Sequence, residues 1–113
     1  MKYCIDPANY ERFPTREVRI GSISIGANAP IRLQSMTNTP TSNIVATTNQ
    51  CMRIFDAGAD FVRITTPTVS DANCLAEIKK KLQEAGYKKP LIADIHFNPA
   101  VAEIAARMVE KIR

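Results

Sequence analysis

The chain has little of what marks a disulfide scaffold, a metal clasp or a membrane protein. Of its 113 residues only three are cysteine, Cys4, Cys51 and Cys74, an odd and widely spaced set without a CxxC pair. That pattern signals neither a disulfide framework nor a zinc site, and reads as reduced, partly buried thiols in a reducing compartment. No stretch approaches the roughly 20 consecutive apolar residues of a membrane span, and the opening "MKYCIDPANYERF" lacks the apolar core of a secretory signal. The expectation is a cytoplasmic protein with no membrane partner. Aromatic residues, 6% of the chain, do not alternate with the cluster Lys79, Lys80, Lys81, Lys88 and Lys89. The cluster therefore reads as a solvated helix face and loop, with no nucleic-acid partner. A net charge of +4 fits an anionic small molecule better.

What is present is the composition of an ordinary soluble globular protein, 45% apolar and 23% charged. The periodicity changes along the chain in a regular order. "EVRIGSISIG" alternates around Gly21 and Ser22, so Val18, Ile20, Ile23 and Ile25 predict a short hairpin over about residues 17–26. "APIRLQSM" reads as a strand near residues 31–36. A loop follows, then a helix capped by Ser42 or Asn43, with Ile44, Met52 and Phe55 inward and a stop at Gly58. "DFVRITTP" is a second strand, near residues 61–65, followed by a helix capped by Ser70, with Leu75, Ile78 and Leu82 on one side and Gly86 ending it. "PLIADIHF" is a third strand, near residues 91–95, and Asn98 before Pro99 marks the next helix start.

Three β-α units in series with short loops predict an α/β fold, a parallel sheet covered by helices. "EKIR" reads as the beginning of a fourth strand. A (β/α) barrel takes about 250 residues, so the expectation is the opening part of a larger domain. Its open edge and uncovered apolar faces then favour self-association, and a homo-oligomer is expected.

The polar residues of the strands carry the chemistry. A period of two places Ile92, Asp94 and His96, the only histidine, on one face, which turns polar toward the carboxyl end where α/β folds bind ligands. Phe61, Arg63 and Thr65 share a face of the second strand, and Arg32, Gln34 and Met36 one of the first. Stacking these faces gathers Gln34, Asn38, Arg63, Thr65, Asp94 and His96 near one end. Arg63 requires a partner, and its planar fork suits a carboxylate or a phosphate. Asp94 is the internal partner. A structural Arg63–Asp94 ion pair and a ligand site are about equally compatible with this spacing, and "QSMTNTPT" taken alone reads as an ordinary polar loop.

Together, "APIRLQSMTNTPT", "AGADFVRITTP" and "PLIADIHFNP" resemble the amino-terminal barrel domain of the 4-hydroxy-3-methylbut-2-enyl diphosphate synthases, iron-sulfur enzymes of the non-mevalonate isoprenoid pathway. The leading "YCIDPANYERFPTREVRIGSISIG" is similar to the family's opening, a hairpin before the first barrel strand. The resemblance implies the first three β-α units of a TIM (β/α)8 barrel. It further implies a reductive ring opening of 2-C-methyl-D-erythritol 2,4-cyclodiphosphate, with two electrons from ferredoxin or flavodoxin passing through a [4Fe-4S] cluster. In that family a separate carboxyl-terminal domain supplies three cysteines and a glutamate to the cluster, and some members carry a further middle domain. Cys4, Cys51 and Cys74 match none of those ligands, so no metal residue is expected here and the chain alone is expected to be inactive. Arg63, His96 and Arg113 match family positions that contact the diphosphate. Asp94 then looks like the residue that orients Arg63 or His96, and Gln34 and Asn38 are weaker candidates for the pocket wall. The alternatives are another phosphate-binding barrel such as dihydropteroate synthase, whose asparagine- and glycine-rich first loop "QSMTNTPT" does not supply, and a non-catalytic phosphate-binding or oligomerisation module.

Overall fold

Strand and helix signals alternate in the computed structural model, which describes residues 6–113, much as the periodicities require. Cys4 lies outside the described residues. The order is β1 (Val18–Ile20), β2 (Ile23–Ile25), β3 (Gln34–Met36), α1 (Ile44–Asp56), β4 (Phe61–Thr66), α2 (Val69–Glu84), β5 (Leu91–Ile95), α3 (Pro99–Ala106) and β6 (Lys111–Ile112). β1 and β2 form the antiparallel hairpin, turning at Gly21, whose φ of +62° suits a residue without a side chain. The other four strands form one parallel sheet in the order β3-β4-β5-β6. The three β-α units are therefore adjacent in space, and "EKIR" does supply the fourth strand.

Alternation along the strands makes two faces. Val62, Ile64, Leu91 and Ala93 face the helices and form the main core with Cys51 and Phe55 of α1, Leu75, Ile78 and Leu82 of α2, and Val101 and Ala105 of α3. Each fully buried Leu or Ile contributes about 1.5–3 kcal/mol relative to exposure. The opposite, inward face starts apolar: Phe61 and Ile92 pack with Ile20 of the hairpin, flanked by Ile23 and Ile25. The hairpin thus plugs the amino end of the inward face and leaves the carboxyl end for polar side chains.

Two boundaries differ from the sequence pattern. β3 begins at Gln34 rather than near residue 31, because at Leu33 the ladder gives way to Asp60. The Leu33 N–H donates to Asp60 Oδ2 at 2.8 Å, and the Leu33 carbonyl accepts from the Asp60 N–H. α2 is capped by Thr68 instead of Ser70. Thr68 has extended backbone, and its hydroxyl accepts from the Asp71 N–H at 3.2 Å and donates to Asp71 Oδ2 at 2.6 Å, a reciprocal cap that places Ser70 inside the first turn. Of the two candidates for α1 the cap is Asn43, accepting from the Ala46 N–H, and Asn98 caps α3 as the sequence has it, accepting from the Ala100 N–H. Glu110, just before β6, joins three elements: it pairs with Lys79 of α2 and accepts from the Leu91 N–H at 3.0 Å.

Candidate functional site

The register fixes which side chains meet. Arg63 lies beside Met36 on one flank and Ile92 on the other; Ile92 in turn pairs with Lys111, and Thr65 with Asp94. All share the inward face. Arg113 brackets Asp94 through the backbone, its N–H donating to the Ala93 carbonyl at 2.9 Å and its carbonyl accepting from the Ile95 N–H at 2.8 Å. The carboxyl end of the inward face thus holds Arg63, Thr65, Asp94, Lys111 and Arg113, three cations against one carboxylate.

Arg63 Nη2 donates to Asp94 Oδ2 at 2.8 Å, the ion pair that the sequence anticipates. Its two side chains keep 23% and 13% of their exposure, so the pair sits between solvent and core, where a single removed partner is costly but water still screens. The pair does not exhaust Arg63. Its Nε–H is buried and has no acceptor among the described residues. A buried donor left unpaired costs about 1–3 kcal/mol, so this N–H is a standing demand for an oxygen.

His96 is the first residue past β5 and is exposed. It is followed by Phe97 at φ +54°, a left-handed conformation that costs a non-glycine residue of order 1–3 kcal/mol. The turn lets the chain reach the Asn98 cap of α3 within two residues and leaves His96 at the rim of the polar end. Gln34 is not brought into the group. It pairs in register with Phe61, two positions toward the amino end from Met36, at the level that the hairpin plugs. Asn38 lies past the carboxyl end of β3 and is tied to α1: its N–H donates to Gln50 Oε1 at 2.9 Å, and Gln50 Nε2 donates to its Oδ1 at 2.5 Å.

Sequence reasoning missed two members of this neighbourhood. Lys111 shows its inward position only through the Ile92 pairing, although the alternation in "EKIR" carries that parity. Gln50 is one more polar residue of a mid-helix stretch, and nothing in the sequence marks it as the partner of Asn38.

The thiols stand apart from this end. Burial among α1 core residues pushes Cys51 up to about 12, so it is a neutral thiol at any physiological pH. Cys74, half-buried on α2, is also raised, by burial and then by Asp71 and Glu77. Among the described residues no three of His, Cys, Asp or Glu converge on a point that could hold a metal ion. This donor set does not fit an iron-sulfur cluster. A cavity of about 410 Å³ lined chiefly by Ile95, Phe97, Pro99, Ala102 and Ile112 opens on the helix side of β5 and β6. It is largely apolar, and only Arg113 links it to the polar end. No helix among the described residues is long and apolar enough to cross a membrane.

Comparison with known proteins bears on this arrangement. The family model of the GcpE TIM-barrel domain matches residues 15–113. The chain is 50% identical over 109 residues to a 4-hydroxy-3-methylbut-2-en-1-yl diphosphate synthase (flavodoxin) of Bacteroides fragilis, covering 96% of this chain and 17% of that protein. It is 43% identical over 112 residues to the protein of the same name from Leptospira interrogans, covering 99% and 17%. It is 45% identical over 112 residues to the chloroplastic 4-hydroxy-3-methylbut-2-en-1-yl diphosphate synthase (ferredoxin) of Arabidopsis thaliana, covering 99% and 15%. The chain spans about one sixth of the length of the curated relatives it matches.

Proposed function

The chain belongs to the GcpE TIM-barrel family, and on that premise we propose that it contributes the diphosphate-binding mouth of a 4-hydroxy-3-methylbut-2-enyl diphosphate synthase. The whole enzyme would open the ring of 2-C-methyl-D-erythritol 2,4-cyclodiphosphate reductively. A [4Fe-4S] cluster bound outside this chain would supply the electrons, drawn from flavodoxin or ferredoxin, the donors in the relatives' names.

The observation that carries the reading is Arg63, with one nitrogen spent on Asp94 and a buried Nε–H that lacks an acceptor at the cationic end of the inward face. In this reading Asp94 fixes the plane of the guanidinium, so that its remaining donors meet phosphate oxygens in a set direction. Arg113 and Lys111 add charge from the neighbouring strand. His96 reaches the same oxygens from the rim, as a neutral donor or, when protonated, as a cation. The work of these residues is to bind and orient the substrate, because the electron chemistry belongs to the cofactor.

The free thiols of Cys51 and Cys74 support a reducing compartment, for which we propose the cytoplasm. Self-association is supported by apolar side chains exposed at both flanks of the sheet, Ile31 and Leu33 before β3 and Phe97 and Ile112 near β6.

The test exchanges the 109 matched residues of the Bacteroides fragilis synthase for those of this chain and measures ring opening with reduced flavodoxin. Turnover of the cyclodiphosphate is the outcome expected. A folded, cluster-loaded exchange enzyme that fails to bind the cyclodiphosphate would refute the proposal.

A further inference from the structure

The far half of the polar loop "QSMTNTPT" is tied to the scaffold. Thr39 Oγ1 shares a hydrogen bond with Thr47 Oγ1 at 2.8 Å, Thr41 Oγ1 donates to the Thr65 carbonyl at 2.6 Å, and Asn38 is held twice by Gln50. The Thr37 hydroxyl is buried without a partner among the described residues, and the Asn38 carboxamide keeps one donor group, whose direction Gln50 decides.

We propose that Gln50 is a positioning residue that turns the Asn38 carboxamide so that its NH₂ group faces the mouth as a hydrogen-bond donor to a diphosphate oxygen. The proposal rests on the diphosphate reading above.

The orientation follows from donor chemistry. A backbone N–H can only donate, so the Gln50 atom that meets the Asn38 N–H at 2.9 Å is Oε1. Nε2 is then the atom facing the Asn38 side chain, and since an NH₂ group only donates, it meets Oδ1, at 2.5 Å. The amide that would otherwise flip freely is fixed through two steps from a backbone N–H. Nδ2, with two N–H bonds, is left as the free end of an exposed side chain. The position suits the role. Met36 is level with Arg63, and the Thr37 N–H donates to the Arg63 carbonyl at 3.0 Å, so Asn38 stands one residue beyond, at the end of the sheet that holds Thr65 and Asp94. A donor held in place before the ligand arrives loses less rotamer freedom on binding.

The experiment titrates the isotope-labelled 113-residue chain with inorganic pyrophosphate and follows side-chain N–H resonances by NMR. The Asn38 NH₂ and Arg63 Nε–H signals are expected to move on one saturation curve. Gln50→Glu keeps the acceptor for the Asn38 N–H but replaces the donor by a second carboxylate oxygen, so Asn38 must turn its NH₂ inward and offer Oδ1 to the mouth. Pyrophosphate affinity should then fall about tenfold, the loss of one hydrogen bond to a charged group. Because the new carboxylate also adds a negative charge, the same change is made in the Asn38→Ala background, where it should have no further effect. An equal loss in both backgrounds assigns the effect to the charge and overturns the proposal. A shifting Arg63 signal with a silent Asn38 NH₂ overturns it too and leaves the diphosphate reading standing, whereas silence at both overturns both. If Gln50→Glu loses the dispersed spectrum of the folded chain, the unsubstituted titration and Asn38→Ala, a change at an exposed position, decide the question by themselves.

Discussion

Replacing Arg63 by lysine separates a phosphate grip from a structural ion pair, because lysine keeps the charge and loses the fork. In the structure one guanidinium nitrogen is committed to Asp94 at 2.8 Å, and the buried Nε–H awaits an acceptor. A lysine ammonium can hold Asp94 or reach a phosphate oxygen, but it cannot do both with parallel, coplanar donors. If the diphosphate uses the second nitrogen, the loss is one hydrogen bond to a charged group, about 1.5–3 kcal/mol, or roughly 10- to 100-fold in affinity. The cost in stability should be smaller. The pair is partly exposed, at 23% and 13%, and a contact from the substituted ammonium to Asp94 replaces it, so about 1 kcal/mol or less is expected. The assay is calorimetric titration of the exchange enzyme with the cyclodiphosphate, alongside its thermal unfolding curve. His96→Ala is run beside it: this exposed side chain should weaken binding without lowering the melting temperature or altering the cluster's absorption. A purely structural Arg63 gives the reverse pattern, a lower melting temperature with unchanged affinity. Unchanged affinity in both variants would refute the placement of Arg63 and His96 at the substrate.

Four further outcomes follow from the packing. Ile20→Ala removes the hairpin's buried contact with Phe61 and Ile92 and should cost about 2–4 kcal/mol in urea unfolding; a loss below about 0.5 kcal/mol would show that the hairpin does not plug the inward face. Cys51 should resist alkylation in the native chain while Cys74 reacts, as read by peptide mapping. Because the folded Cys51 thiol is raised to about 12 from an ordinary value of 9.0, the native state holds its proton more tightly. The stability this confers is complete below about pH 9 and declines as pH rises toward 12, so a Cys51→Ala variant should show a flatter alkaline limb than the parent. Sedimentation of the 113-residue chain should show self-association through the apolar residues exposed at the sheet flanks, and a monomer maintained at high concentration would count against it.

Local chemistry alone determined most of the scaffold. The Gly21-Ser22 turn, the α1 cap to within Ser42 or Asn43, the Asn98 cap, the helix stops at Gly58 and Gly86, and the alternation through Arg63 and Asp94 are each written within a few residues, because caps, turns and strand faces depend on near neighbours. The same locality explains the error at α2, where Ser70 and Thr68 are both acceptable caps by type and only the Thr68–Asp71 exchange distinguishes them. It also explains why the Arg63–Asp94 pair was legible: two adjacent parallel strands with known faces leave few partners for an inward arginine. What tertiary structure decided was register. Whether Gln34 or Lys111 stands at the polar end depends on how far β3 and β6 slide along their neighbours, and that is set by contacts made across the sheet, the Asp60–Leu33 exchange at one side and Glu110 with Lys79 and Leu91 at the other. The Gln50–Asn38 pair is of the same kind. Twelve residues and a change from strand to helix separate its members, and only the packing of α1 against the sheet brings the two amides together.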